Sequence, residues 1–191
     1  MKKQWTLLAA AAMLALSGCG GNGNDGGNTQ GHTATAVTTE QGDTAHMNHS
    51  TSSELPEGMK EAVNPKFNIG SEAIMKTNHM PGMDGAVATI AGAYETTAYS
   101  ISYTPVTGGE RVTDHKWIVQ EEIKDAKASP YESGADITVT ADHMPGMKGA
   151  VATIDSAEPT TVYMVDYTPT TGGDPVHNHK WVTESELAPV K

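Results

Sequence analysis

The 191-residue chain holds one cysteine, Cys19, and one phenylalanine. A lone cysteine can close no intramolecular disulfide and cannot build a site of several thiolates. Basic residues are scarce too, 12 Lys and Arg against 23 Asp and Glu, for a formal charge of −11. Without Lys2 and Lys3 the balance is 10 against 23, or −13. Nucleic acid and anionic head groups are therefore excluded as electrostatic partners. Aromatics make up 5% of the chain while glycine contributes 20 residues, a balance that suits small β-rich modules better than one large core. No apolar run is long enough for a permanent membrane span, since residues 7–16 fall well short of about 20. There is no phosphate-cradling glycine loop, no His-Glu-x-x-His and no nucleophile with a placed base, so no enzymatic activity is expected.

What is present starts with a leader. Lys2 and Lys3 precede the apolar run, which ends in Leu16-Ser17-Gly18-Cys19. A short apolar segment followed by small residues is a secretory signal, and these four residues resemble the lipobox of bacterial lipoproteins. Residues 1–18 are then a signal peptide, and Cys19 carries the lipid that attaches the protein to the extracytoplasmic face of a cell membrane. Any soft-metal site in the mature chain must use Met and His. Residues 19–53 are rich in Gly, Asn, Thr and Ser and cannot bury enough surface to fold. As a flexible coil they span roughly 30–35 Å. This tether contains His46-Met47-Asn48-His49, a candidate accessory metal-capturing run. Residues 55–62 are expected to form one helical turn, with Met59 as a packing residue.

The centre of the sequence is His79-Met80-Pro81-Gly82-Met83, which returns as His143-Met144-Pro145-Gly146-Met147. Pro presets φ at the second position of a type II turn and Gly accepts positive φ at the third, so the two methionines end one turn. Two thioethers with an imidazole beside them are the soft donors that Cu(I) prefers, whereas hard cations take oxygen and zinc takes thiolate or several imidazoles. The alternative is that the methionines are apolar filler beside a tight turn.

The repetition is wider than the turn. Residues 67–123 align with 131–187 without a gap at about 27 identities in 57 positions, a duplication. Residues 54–125 and 126–191 are read as two modules. In each, a β-prone run leads to the turn, a second strand follows at 86–90 or 150–154, and a third alternates apolar and polar residues around Tyr99-Ser100-Ile101 or Tyr163-Met164-Val165. Thr-Gly-Gly loops then lead to a fourth strand at 112–119 or 176–182. The expected fold is all-β: two tandem small SH3-like barrels, or OB-type barrels, after the tether. The fourth strand carries His115-Lys116-Trp117 and His179-Lys180-Trp181. Period two places His115 with Trp117, and His179 with Trp181 and His177, on one face. The histidines are candidate further ligands, and Trp117 and Trp181 are candidate copper shields by cation–π attraction. Because Thr113 stands opposite His177, the second site is expected to be the richer one.

With the lipobox, the duplicated His-Met-Pro-Gly-Met-x-Gly-Ala run and the repeated His-Lys-Trp, the chain resembles the YdhK family of bacterial lipoproteins, which includes CopL-like copper-resistance lipoproteins. The resemblance implies a membrane-anchored extracytoplasmic protein that binds copper. It marks His79, Met80, Met83, His143, Met144 and Met147 as motif positions. The sequence is thus read as a copper-sequestering or copper-transferring lipoprotein whose partner is a copper exporter or a copper oxidase. Two rivals remain: a structural or cell-wall-binding surface module with no metal role, and zinc or mixed-metal storage through His alone.

Overall fold

The computed structural model describes residues 52–127 and 130–191. The residues expected as signal peptide, Cys19, and most of those expected as tether, with His46, Met47 and His49, lie outside the described residues. Eight strands are formed: β1 (Lys60–Glu61), β2 (Glu72–Met75), β3 (Val87–Tyr103), β4 (Val112–Val119), β5 (Asp136–Thr138), β6 (Val151–Tyr167), β7 (Val176–Thr183) and β8 (Leu187–Pro189). Single 3-10 turns at Gln120–Glu122 and Glu184–Glu186 follow β4 and β7. Among the described residues there is no α-helix, and no helix is long and apolar enough to cross a membrane. The all-β expectation holds. The helical turn expected at 55–62 is absent, because Gly58 adopts φ +90° and the Met59 N–H bonds back to the Pro56 carbonyl at 3.4 Å. That left-handed glycine closes a tight turn, and β1 then pairs with β3.

The larger difference concerns the strands expected as second and third. They are one 17-residue strand in each repeat, β3 and β6, with no turn between. The two run antiparallel along almost their whole length, from Ala88↔Tyr167 to Tyr103↔Ala152. Thr96 pairs with Thr160, its own counterpart 64 residues on, so a local two-fold axis passes between them. Residues 91–98 carry Tyr94, Thr96 and Thr97, which suit a strand. Register shifts between Ile90 and Gly92 and between Ser100 and Ile101 bend the ladder.

That bend sends each long strand into more than one core. One end cluster joins Met75, Met83, Ala88 and Ile90 of the first repeat to Tyr163, Val165, Val182 and Leu187 of the second. The opposite cluster joins Tyr99, Ile101 and Ile118 to Val139, Met147 and Ile154. A third lies between, with Tyr94, Trp117, Val119, Met164 and Trp181. No cluster is confined to residues 54–125 or to 126–191. The expectation that each repeat closes its own barrel therefore gives way to an exchange, in which the first half of one repeat packs with the second half of the other. Around the central pair, β2 joins β3 to β8, β5 and β7 pair with β6, and β4 pairs with β3.

Candidate metal centre

The two Pro-Gly turns form as the sequence requires. The Met83 N–H bonds to the Met80 carbonyl at 3.3 Å and the Met147 N–H to the Met144 carbonyl at 3.1 Å, with Gly82 at φ +82° and Gly146 at φ +77°. Each turn is seated on the other repeat: the Thr170 N–H donates to the Gly82 carbonyl and the Val106 N–H to the Gly146 carbonyl, both at 2.9 Å. The sulfur pairs divide, however. Met83 and Met147 are 0% exposed and belong to the two end cores, whereas Met80 and Met144 are half-buried at the edges of those cores. The accessible thioethers are those next to the histidines. The Tyr167 hydroxyl donates to the Met80 sulfur at 3.8 Å.

Each turn histidine meets a glutamate of the opposite repeat. His79 Nε2 lies 2.6 Å from Glu186 Oε1, and His143 Nε2 lies 2.7 Å from Glu122 Oε1. The glutamates are the third residues of the 3-10 turns and reach back to the backbone before them: Glu186 Oε2 accepts the Thr183 N–H and Glu122 Oε2 the Val119 N–H, both at 3.0 Å. This is the N-terminal reach of a capping box. The same oxygens accept indole N–H groups, Trp117 to Glu186 at 2.9 Å and Trp181 to Glu122 at 3.1 Å. Thr77 adds a hydroxyl donor to Glu186 Oε1 at 3.0 Å, and Ala141 occupies the equivalent place in the second repeat. Burial pushes the Glu186 carboxyl up, but the His79 hydrogen bond and charge, with the Thr183 and Trp117 donors, hold it down at about 2.

The other nitrogen of each ring is the notable atom. Nδ1 of His79 and Nδ1 of His143 are buried and have no hydrogen-bond partner among the described residues. A buried polar atom without a partner is uncommon and costs stability. A histidine held at one nitrogen by a carboxylate, with its other nitrogen unoccupied, has the arrangement that metal-ligating histidines adopt.

The strand histidine His115 meets the turn of the opposite repeat. The His115 and His143 rings have centroids 6.4 Å apart, and His79, His115 and Met144 border one cleft of about 320 Å³. His179 is buried and stacks edge-on against Tyr167 at 5.9 Å, as His115 does against Tyr103 at 6.0 Å. His177 is different. Asn178 sits at φ +50° where the register jumps from Val165↔His179 to Tyr167↔Val176. The extra residue breaks the alternation, so His177 is exposed and pairs with Asp166 at 3.5 Å. The expectation that it enriches the second site fails for this reason. Trp117 and Trp181 likewise have another task than the expected copper contact: their N–H groups hold the glutamates, and Lys116 and Lys180 lie over their rings at 5.4 and 6.0 Å. Among the described residues no three His, Cys, Asp or Glu side chains converge as a metal-holding group.

A family model described as "Protein of unknown function (DUF1541)" matches residues 69–120 and 133–184, the two repeats. The chain belongs to the DUF1541 family. Its curated relative "Uncharacterized protein YdhK" of Bacillus subtilis (strain 168) is 52% identical over 182 residues, covering 95% of this chain and 86% of that protein. The crystal structure of the DUF1541 family protein YdhK from Bacillus subtilis matches at a TM-score of 0.72 with 59% identity, over 75% of this chain and 97% of that one. The solution NMR structure of the YdhK C-terminal domain matches at 0.61 with 61% identity, over 64% of this chain and 92% of that one. The DUF1541 repeat boundaries stop at 120 and 184, just before Glu122 and Glu186. Nothing in the composition singles out either glutamate among the 23 acidic residues. Their signal was available, because Glu122 aligns with Glu186 as an identity in the duplication.

Proposed function

We propose that this protein is a membrane-anchored extracytoplasmic copper-binding lipoprotein, which sequesters Cu(I) or passes it to a copper exporter or oxidase without catalysing a reaction. The observation that carries this reading is the pair of buried, unpartnered Nδ1 atoms on His79 and His143, each histidine being followed in sequence by a half-buried methionine, Met80 or Met144. Imidazole and thioether together are soft donors suited to Cu(I), and a bound ion would satisfy the nitrogen that the fold leaves open. His115 and His179 are the further ligands, contributed from β4 and β7. The exchanged halves are best read as SH3-like barrels, with a 3-10 turn leading into the closing strand. Attachment rests on lipidation of Cys19, and the tether's His46, Met47 and His49 serve as a capture run ahead of the folded sites.

Anaerobic Cu(I) titration of the soluble chain beginning after Cys19, against a competing chelator, tests the reading. Its comparison is a variant with Met80 and Met144 changed to Leu and His79 and His143 to Ala. Tight binding that disappears in the variant is expected. Binding unchanged in the variant would move the metal to other residues, and no binding in either protein would sink the copper reading. The rival surface-module reading draws its support from the complete burial of Met83 and Met147, and it would then stand beside zinc storage through histidine.

A further inference from the structure

We infer that Glu186 and Glu122 are positioning residues, each fixing the ligand histidine of the opposite repeat in the tautomer that leaves Nδ1 open, so that neither repeat assembles a site by itself. The inference deepens the copper reading and rests on it for the identity of the metal.

The donor inventory decides the tautomer. Glu186 Oε2 accepts two hydrogens that cannot be turned away, the Trp117 indole N–H and the Thr183 backbone N–H. Oε1 accepts the Thr77 hydroxyl and faces His79 Nε2 at 2.6 Å. A carboxylate surrounded by donors is acceptor-only, so the proton of that short contact belongs to His79 Nε2. In the neutral ring, the form able to bind a metal, Nδ1 is then the bare lone pair, and no partner stands against it. Glu122 repeats the arrangement with the Trp181 indole, the Val119 N–H and His143 Nε2 at 2.7 Å. The agreement of two copies that differ in sequence around the turn argues against an accident of packing. Because Ala141 replaces Thr77, Glu122 lacks the hydroxyl donor. The first site is therefore the more firmly oriented, opposite to the order expected from His177.

The substitution Glu186→Gln has a specific consequence. Its amide has one oxygen and one NH₂ group, and the fixed Trp117 and Thr183 donors claim the oxygen. The NH₂ then faces His79, whose Nε2 has to accept, and the ring proton moves to Nδ1. The nitrogen meant for the metal becomes a donor and is blocked.

The test is side-chain ¹⁵N NMR of the histidines in the metal-free protein, followed by anaerobic Cu(I) titration, for wild type, Glu186→Gln and Glu122→Gln, with circular dichroism to confirm the sheet. Expected are Nε2–H tautomers at His79 and His143 in the wild type. Glu186→Gln should switch His79 alone, Glu122→Gln His143 alone, and each should weaken one copper site about 10–100-fold. An Nδ1–H tautomer at either histidine in the wild type, or folded Gln variants that leave both tautomers and affinities unchanged, would overturn the assignment. Correct tautomers that respond to the glutamates in a protein that binds no Cu(I) would uphold the positioning role and remove copper as the metal.

Discussion

The His115 ring of β4 stands 6.4 Å from the His143 ring of the opposite repeat. The strand histidine of one half thus belongs with the turn of the other, and the donors reassort across the duplication. His115→Ala and His143→Ala should accordingly remove the same copper ion. Competition titrations are expected to show the double variant no weaker than the weaker single, since residues sharing one site are non-additive. Fully additive losses would place the two histidines in separate sites.

The methionines of one turn should behave differently from each other. Met83→Ala and Met147→Ala empty fully buried positions and are expected to cost about 2–5 kcal/mol each in urea unfolding. Met83→Leu should leave Cu(I) affinity unchanged, whereas Met80→Leu, at a half-buried sulfur, should weaken it with little loss of stability. Equal effects of the two Leu variants on copper binding would restore the two-sulfur site.

Two glycines within a few residues separate space from conformation. Gly82 and Gly85 both have positive φ, but a Cβ on Gly82 would lie 2.6 Å from Thr171 Oγ1 and 2.8 Å from Pro169 Cβ, while a Cβ on Gly85 meets nothing within 4 Å. Gly85→Ala should cost about 1–2 kcal/mol, the conformational penalty alone. Gly82→Ala should cost clearly more and lift the turn from the loop that seats it. Thermal unfolding of the pair reads the difference, and equal costs would mean the loop yields freely.

Acid stability should report Glu186. Its folded value of about 2 lies below the ordinary 4.5, so its contribution is complete above the ordinary value and is lost as pH falls from there toward 2. Metal-free protein is expected to lose stability over that window, and Glu186→Gln should flatten the loss while lowering stability at neutral pH. An unchanged slope in the variant would assign the acid sensitivity to other carboxylates.

The turns, the repeat and all four strand positions per repeat were legible because each rests on local chemistry. Pro81-Gly82 can only sit in a narrow set of backbone angles, and β4 begins and ends where its apolar residues do. The continuity of β3 was not legible, since Ala91-Gly92 looks like a break until a partner strand is present to pair with it. His177 was misplaced for a related reason: period two holds for an unbroken strand, and the left-handed Asn178 inserts a residue that the pattern does not announce.

Composition, spacing and turn preference act over a few residues, and they suffice to specify a duplicated β module with two His-Met turns and no thiolate chemistry beyond Cys19. Tertiary structure decided which residues meet. It sent Met83 and Met147 into the cores, left Met80 and Met144 at the edge, and placed each turn histidine on a glutamate of the other repeat. The reason is symmetry: two modules of like pattern satisfy the same local rules whether they pack onto themselves or exchange halves. The ladder between the two 17-residue strands, with Thr96 opposite Thr160, selects the exchange, because it pairs the backbone of both long strands at once.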